Sequence, residues 1–283
     1  MKPFAIYHLF KDGFSSLKQP LVDIVVKVAQ PDRIFLLGAS LHRRRSESIF
    51  NETAPSSQYI SDCFLLVLIR DLGNKEIFEL QDTIEGNCKH FMPVTVIVVQ
   101  TGIFEEWLKA EDRFACTVWQ SALLLYGSKN LSITGINNFF KGKSHKTDKS
   151  AYTEGIKKAR EFLAGSELFR IRKQYAISVF MLHQSAEQAL HTLVKLGTGY
   201  QANTHNIDRL LRYASLVSYQ VPDIFPQKTD REKHLFLLLQ KAYVDSRYKT
   251  EYKICIEDLL CLTDKIREIH EILSGYLKQS LPV

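Results

Sequence analysis

Between residues 176 and 212 the chain reads AISVFMLHQSAEQALHTLVKLGTGYQANTHNIDRLLR. Wound at about 100° per residue, Val179, Phe180, Leu182, Ala186, Ala189, Leu190, Leu193 and Val194 fall on one broad arc, with Gln184, Gln188 and Lys195 opposite. An arc this wide has to be covered by other elements. Gly197 and Gly199 then predict a helix end with a left-handed cap. Thr204 or Asn206 predicts the N-cap of the next helix, whose apolar residues are Ile207, Leu210, Leu211 and Ala214.

Two polar residues interrupt the arc. His183 and Glu187 are four apart, so they are neighbours one turn from each other. Burying such a pair costs stability unless its hydrogen bonds are met. Two readings stand side by side: a satisfied core pair that orients two helices, or the polar wall of a ligand pocket inside a bundle. The spacing His183-x3-Glu187-x3-His191 also suits a metal, but His191 falls near the polar edge and no Cys or Asp cluster joins it. A metal is not expected there.

A second stretch answers the first. Residues 235–252, LFLLLQKAYVDSRYKTEY, place Leu235, Phe236, Leu238, Leu239, Ala242 and Tyr243 on one helical stripe, with Arg247 at its edge. An arginine beside a buried stripe finds a carboxylate or a phosphate. Glu187 is its natural internal partner, and Glu251 follows one turn later.

These residues carry a resemblance. FMLHQSAE (180–187), Gly199-Tyr200, Thr204-His205-Asn206 and AYVDSRY (242–248) resemble the HEPN domain, in the branch found in bacterial fusions and at the C-terminus of sacsin. The resemblance covers roughly residues 150–277. It implies an up-and-down bundle of four or five helices, dimeric through that bundle, and often described as nucleotide-binding. On that reading His183, Glu187, His205, Tyr243, Arg247 and Tyr248 line a site for a nucleotide or another phosphate-bearing small molecule. Aromatic rings would stack on a base and Arg247 would fork onto a phosphate. Some members of the family are ribonucleases that use an Arg followed four to six residues later by a His. Arg231–His234 and Arg267–His270 are too close for that, and no His follows Arg247. Ribonuclease chemistry is therefore disfavoured.

The front half has a different rhythm. Residues 17–30 are apolar at helical spacing and stop at Pro31. Residues 33–38 form a short apolar strand that runs into Gly38-Ala-Ser40, followed by His42 and three arginines. Residues 61–69 read as a strand buried on both faces, residues 75–91 as a helix, 93–99 as a third strand and 103–126 as a helix. The alternation argues an α/β domain built on a small mixed sheet with helices. A strand–Gly-x-Ser–helix junction can hold a phosphate on backbone N–H groups, which makes Gly38 and Ser40 candidates for ligand binding.

This order resembles the minimal nucleotidyltransferase fold over roughly residues 15–128. That family carries Gly-Ser after its first strand, Ser-Asp-x-Asp opening the second, and a third carboxylate on a later strand. Gly38-Ala-Ser40 and Ser61-Asp62-Cys63-Phe64 occupy the first two places here. Nucleotidyl transfer needs several carboxylates to hold two Mg²⁺ ions. Asp62 alone survives, as a remnant metal ligand: its partner two residues on is Phe64, and residues 93–99 hold no acid. The expectation is a degenerate domain without a confident catalytic residue. Mg²⁺ enters only under the alternative, a divergent nucleotidyltransferase that recruits Glu47, Glu52 or Asp71.

Residues 1–128, a linker at 129–153 and residues 154–283 are the expected divisions. The linker is rich in Gly, Ser and Asn, with Lys141, Lys143, Lys146 and Lys149. The net charge of +6 splits as +2 through Lys149 (18 Lys/Arg against 16 Asp/Glu) and +4 beyond it (19 against 15). So mild a balance argues against a nucleic-acid partner. No apolar run is long enough for a membrane helix, and no signal-peptide layout opens the chain. Five scattered cysteines without a CxxC fit reduced thiols in the cytoplasm.

Overall fold

The computed structural model describes residues 14–45, 56–73, 75–127, 149–248 and 252–280. The chain divides into two compact units, Met1–Ser144 and His145–Val283. Glu47, Glu52, Lys141, Lys143, Lys146 and Glu251 lie outside the described residues.

In the first unit the elements run α1 (Phe14–Ala29), β1 (Arg33–Arg45), β2 (Ser56–Ile69), α2 (Ile77–Cys88), β3 (Val94–Gln100), α3 (Thr101–Lys109), α4 (Arg113–Ser121) and β4 (Leu123–Tyr126). They build a four-stranded mixed sheet in the order β3-β2-β1-β4. β1 pairs antiparallel with β2 and β4, and β2 pairs parallel with β3. Residues 63–69 are buried without a break because both faces are covered. Ile34, Leu36, Leu65, Val67 and Val96 pack with Leu21 and Val25 of α1 and Leu80 and Ile84 of α2. On the opposite face, Phe35 meets Phe104 of α3 and Trp119 of α4.

β3 is an edge strand, and α2 closes that edge. Gln81 Nε2 donates to the Val96 carbonyl at 3.2 Å, and the Val96 N–H donates to Glu85 Oε1 at 3.1 Å. Two side chains one turn apart thereby do what a neighbouring strand would do.

Two expectations fail in this unit. β1 does not end at Gly38: it continues to Arg45, with a register irregularity between Leu36 and Gly38. Gly38 and Ser40 pair with Phe64 and Asp62 across the ladder, so they form no helix-start turn. Residues 103–126 are not one helix either. The chain turns at residues 110–112, where Asp112 caps α4, and residues 123–126 join the sheet beside β1.

The second unit is all helical: α5 (Lys149–Ile171), α6 (Tyr175–Thr198), α7 (Ile207–Ser215), α8 (Val221–Ile224), α9 (Asp230–Tyr248) and α10 (Ile256–Ser280). α6 is the central helix, packed by α5, α7, α9 and α10. Gln184, Gln188 and Lys195 are consequently half-buried rather than facing open water. Gly199 caps α6 in the left-handed region at φ 84°, and Asn206 caps α7 by accepting from the Arg209 N–H. α5 opens at Lys149, ahead of the expected start, and runs past Gly165 to Ile171.

The α5–α6 contact is a seam of small residues. Ser178, Ser185 and Thr192 recur every seven residues along α6 and meet Ser166, Ala159 and Gly155 in turn on antiparallel α5. Ser178 Oγ donates to the Ser166 carbonyl at 2.8 Å. Ser185 Oγ donates to the Ala159 carbonyl at 2.8 Å and lies 2.8 Å from His270 Nε2 of α10. With its one proton given to the carbonyl, Ser185 accepts from Nε2–H of His270. Burial pushes the His270 imidazole down to about 4, and the charge of Arg160 adds to it, so the ring is neutral near pH 7.

Among the described residues no helix is long and apolar enough to cross a membrane.

Two predictions test this packing. A Cβ on Gly155 would collide with Thr192 Oγ1. Gly155→Ala should cost about 1–3 kcal/mol by urea denaturation in the native background, and far less in a Thr192→Ala background. The second concerns acid. His270 has a folded pKa below the ordinary 6.5, so its neutral form supplies stability that is full above that value and lost as pH falls toward about 4. The melting temperature of the native chain should therefore fall more steeply from pH 7 to pH 4.5 than that of His270→Gln.

Candidate functional site

α6 carries His183 and Glu187 one turn apart, both buried. His183 Nδ1 lies 3.0 Å from the Leu239 carbonyl of α9. A carbonyl only accepts, so Nδ1 bears the proton. Nε2 makes no hydrogen bond among the described residues and stops 3.5 Å from Glu187 Oε2.

Glu187 has a second histidine. His205 Nδ1 lies 3.0 Å from Oε1, reaching in from the loop ahead of α7. Burial pushes the Glu187 carboxyl up, but the two histidines beside it, His183 and His205, outweigh it, so the group sits below the usual carboxylate range. Ionised, Glu187 can only accept, and His205 Nδ1 donates. The outer Nε2 of His205 is then left for other work, on a side chain 61% exposed.

The loop that presents His205 is fastened on either side. His191 Nε2 donates to the Thr204 carbonyl at 3.0 Å, and the Ile207 N–H donates to Gln240 Oε1 of α9 at 3.1 Å. Tyr200 meets Tyr213 edge-on at 5.8 Å. Burial holds the His191 imidazole below its ordinary value, so it is a neutral anchor.

Tyr243 of α9 joins the parts. Its ring stacks on His205 at 5.0 Å with 9° between the planes, and sits 5.4 Å from the ring of His183. One turn on, Arg247 Nε donates to the Tyr243 carbonyl at 2.6 Å. The guanidinium carbon lies 4.5 Å from the Tyr243 ring, 5.2 Å from Tyr248 and 5.4 Å from Phe180. Three rings thus position an exposed guanidinium by cation–π attraction.

Glu187 is not the partner of Arg247: its oxygens accept from His205 and from Gln184 at 3.4 Å, with His183 3.5 Å away. Among the described residues no carboxylate pairs with Arg247, which leaves its Nη edge open. His183, Glu187, His205, Tyr243, Arg247 and Tyr248 do come together as the sequence suggested. Two contributors were missed. Phe180 reads as core from its periodicity, and Gln240 gives no signal between Leu239 and Lys241.

The histidines of the two short Arg–His spacings are otherwise engaged. His234 lies 3.4 Å from Asp258, which also holds Arg231, and His270 is locked to Ser185.

In the first unit Asp62 Oδ2 accepts from Thr95 Oγ1 at 2.8 Å, latching β2 to β3 on the face that also carries Phe64. Asp71 accepts from the Gly73 N–H at 2.9 Å in the turn beyond the end of β2. Eight residues of mostly extended chain lie between it and Asp62, far beyond reach of a shared cation. Among the described residues no three His, Cys, Asp or Glu side chains gather as a metal would require.

Residues 152–276 match the family model of the HEPN domain. The second unit is therefore a HEPN domain, and the match spans the helices that build the cluster around Glu187. No curated protein matches the chain.

Removing Glu187 should do more harm than removing its exposed partner. Glu187→Ala removes the hydrogen bond to His205 and leaves buried His183 and a cavity behind, and should cost about 3 kcal/mol in urea unfolding. His205→Ala should cost no more than about 1 kcal/mol. Equal losses would contradict the geometry.

Proposed function

We propose that the HEPN unit is a binding module for a nucleotide or a closely related phosphate-bearing small molecule. One observation carries this reading: an exposed Arg247 guanidinium, pinned over three aromatic rings, with its Nη edge open beside a carboxylate-backed His205. The fork suits phosphate oxygens and the rings suit a base. The unit belongs, on this reading, to the branch shared with sacsin.

The first unit is read as a degenerate nucleotidyltransferase-like scaffold, supported by its mixed sheet and by the order of its strands and helices. Asp62 serves there as an inter-strand latch rather than a working metal ligand. Cytoplasmic work is in keeping with the buried free thiols of Cys63 and Cys88, both pushed up by burial, Cys88 to about 11.

A second reading, assembly of two copies through the bundle, draws on α9. Leu237, Val244 and Tyr248 recur there as exposed apolar residues on one helical stripe. Glutamate at positions 237 and 244 should turn a dimer into a monomer in sedimentation equilibrium.

Thermal-shift titration with ATP, GTP and cyclic nucleotides tests the leading reading. A bound nucleotide at a hundredfold excess over its Kd should stabilise the chain by about 2.7 kcal/mol, and Arg247→Ala should abolish the shift. No stabilisation by any nucleotide removes the ligand claim.

A further inference from the structure

A cleft of about 680 Å³ opens between the turn that follows α7 and the second half of α10. It lies at the end of α7 away from His205. A space of this size suits a small molecule. Val217, Ile224 and Ile272 give it an apolar lining, and Tyr219 and Tyr276 add two rings. Three carboxylates complete it: Asp223 from α8, and Glu268 and Glu271 from α10. Among the described residues no lysine, arginine or histidine lines it. We propose that the cleft binds a linear aliphatic polyamine, whose ammonium groups meet the three carboxylates and whose methylene spacers lie along the apolar lining.

The acids of this face are unspent. Earlier on α10, Asp258 is held by Arg231, and Asp264 lies 3.0 Å from Arg267. The side chains of Asp223, Glu268 and Glu271 have no hydrogen bond or ion pair among the described residues, and all three residues are exposed. Lys265, one turn before Glu268, is engaged elsewhere: its Nζ donates to the Ile224 carbonyl and lies 5.3 Å from the Phe225 ring. The fold therefore brings three negative charges to one cleft and supplies no cation to balance them.

The arrangement selects the kind of cation. Glu268 and Glu271 stand one turn apart, with about 5–6 Å between their β-carbons, and like charges so placed repel. A short methylene spacer sets two ammonium groups at a similar separation, so each can answer one carboxylate. Asp223 faces them from α8, on the other wall. A divalent metal is a poor match, because it draws its oxygens to about 2.0–2.6 Å. Among the described residues no three acids gather closely enough for that.

The rest of the lining fits the rest of the molecule. Tyr219 is 84% exposed, which leaves its ring face available to an ammonium group by cation–π attraction. Val217, Ile224 and Ile272 offer apolar surface to the methylenes between charges. A lysine-rich peptide carries the same charge, but it brings backbone polar groups that an apolar lining leaves unmet.

Isothermal titration of the full chain with spermidine, putrescine, Mg²⁺ and hexalysine, in the absence of nucleotide, tests the proposal. Spermidine should bind at least about tenfold tighter than Mg²⁺ or than putrescine, which has one ammonium fewer. Glu268→Gln and Glu271→Gln should each weaken spermidine about tenfold, and Tyr219→Ala about threefold. All three positions are exposed, so the fold survives these substitutions. Putrescine or Mg²⁺ as tight as spermidine overturns the proposal, because charge alone then suffices. Hexalysine tighter than spermidine overturns it in favour of a basic peptide. Spermidine that does not bind at millimolar concentration, or that binds Glu268→Gln and Glu271→Gln as well as the native chain, overturns it too.

Discussion

A carboxylate inside a helical bundle cannot be left alone. Glu187 sits on the most enclosed helix of its unit, where an unpartnered charge would cost several kcal/mol. His205 meets that demand with a hydrogen bond, His183 lies 3.5 Å away, and each histidine is tied to a different neighbour. His183 is pinned to the α9 backbone at Leu239, and His205 arrives on the loop that starts α7. Satisfying one acid therefore sets the relation of α6, α7 and α9. It also fixes a side effect: the ring of His205 is turned so that one nitrogen is spent inward and the other is offered outward. The outward edge of His205 follows from how the core of this bundle solves an electrostatic problem.

Much of the second unit was legible in the chain. The apolar arc of α6, the glycine cap at Gly199 and the asparagine cap at Asn206 are local features, set by periodicity and by backbone conformations that few residues tolerate. The His183–Glu187 step was equally plain, because two polar residues a turn apart interrupt an apolar face. What the sequence did not reveal was partnership. Arg247 and Glu187 look matched by charge, yet geometry gives the acid to His205 and the arginine to three rings. Charge alone does not say which cation arrives within 3 Å. The α5–α6 seam was hidden for another reason. Ser178, Ser185 and Thr192 look like solvent residues until Ser166, Ala159 and Gly155 are seen to let the helices close on them.

The first unit shows the opposite failure. Gly38 and Ser40 have the letters of a phosphate loop, but the strand containing them stays paired with β2 through that stretch. A short motif is informative only in its backbone setting, and the ladder here overrides it. Residues 123–126 misled in the same way. Three leucines after an amphipathic helix extend its pattern, but the helix ends at Ser121 and those residues pair with β1. Asp62 was read from its spacing alone, as the remnant of a metal site. Its hydrogen bond to Thr95 gives it a place in the sheet that needs no cation.

The central claim is that Glu187 decides the orientation of His205. Long-range ¹⁵N–¹H correlation of the histidine side chains at pH 8 measures it directly, because protonated and unprotonated ring nitrogens resonate far apart. His205 should carry its proton on Nδ1 in the native chain and shift toward Nε2–H in Glu187→Gln. A native His205 protonated at Nε2, or one whose tautomer ignores the substitution, would contradict the account.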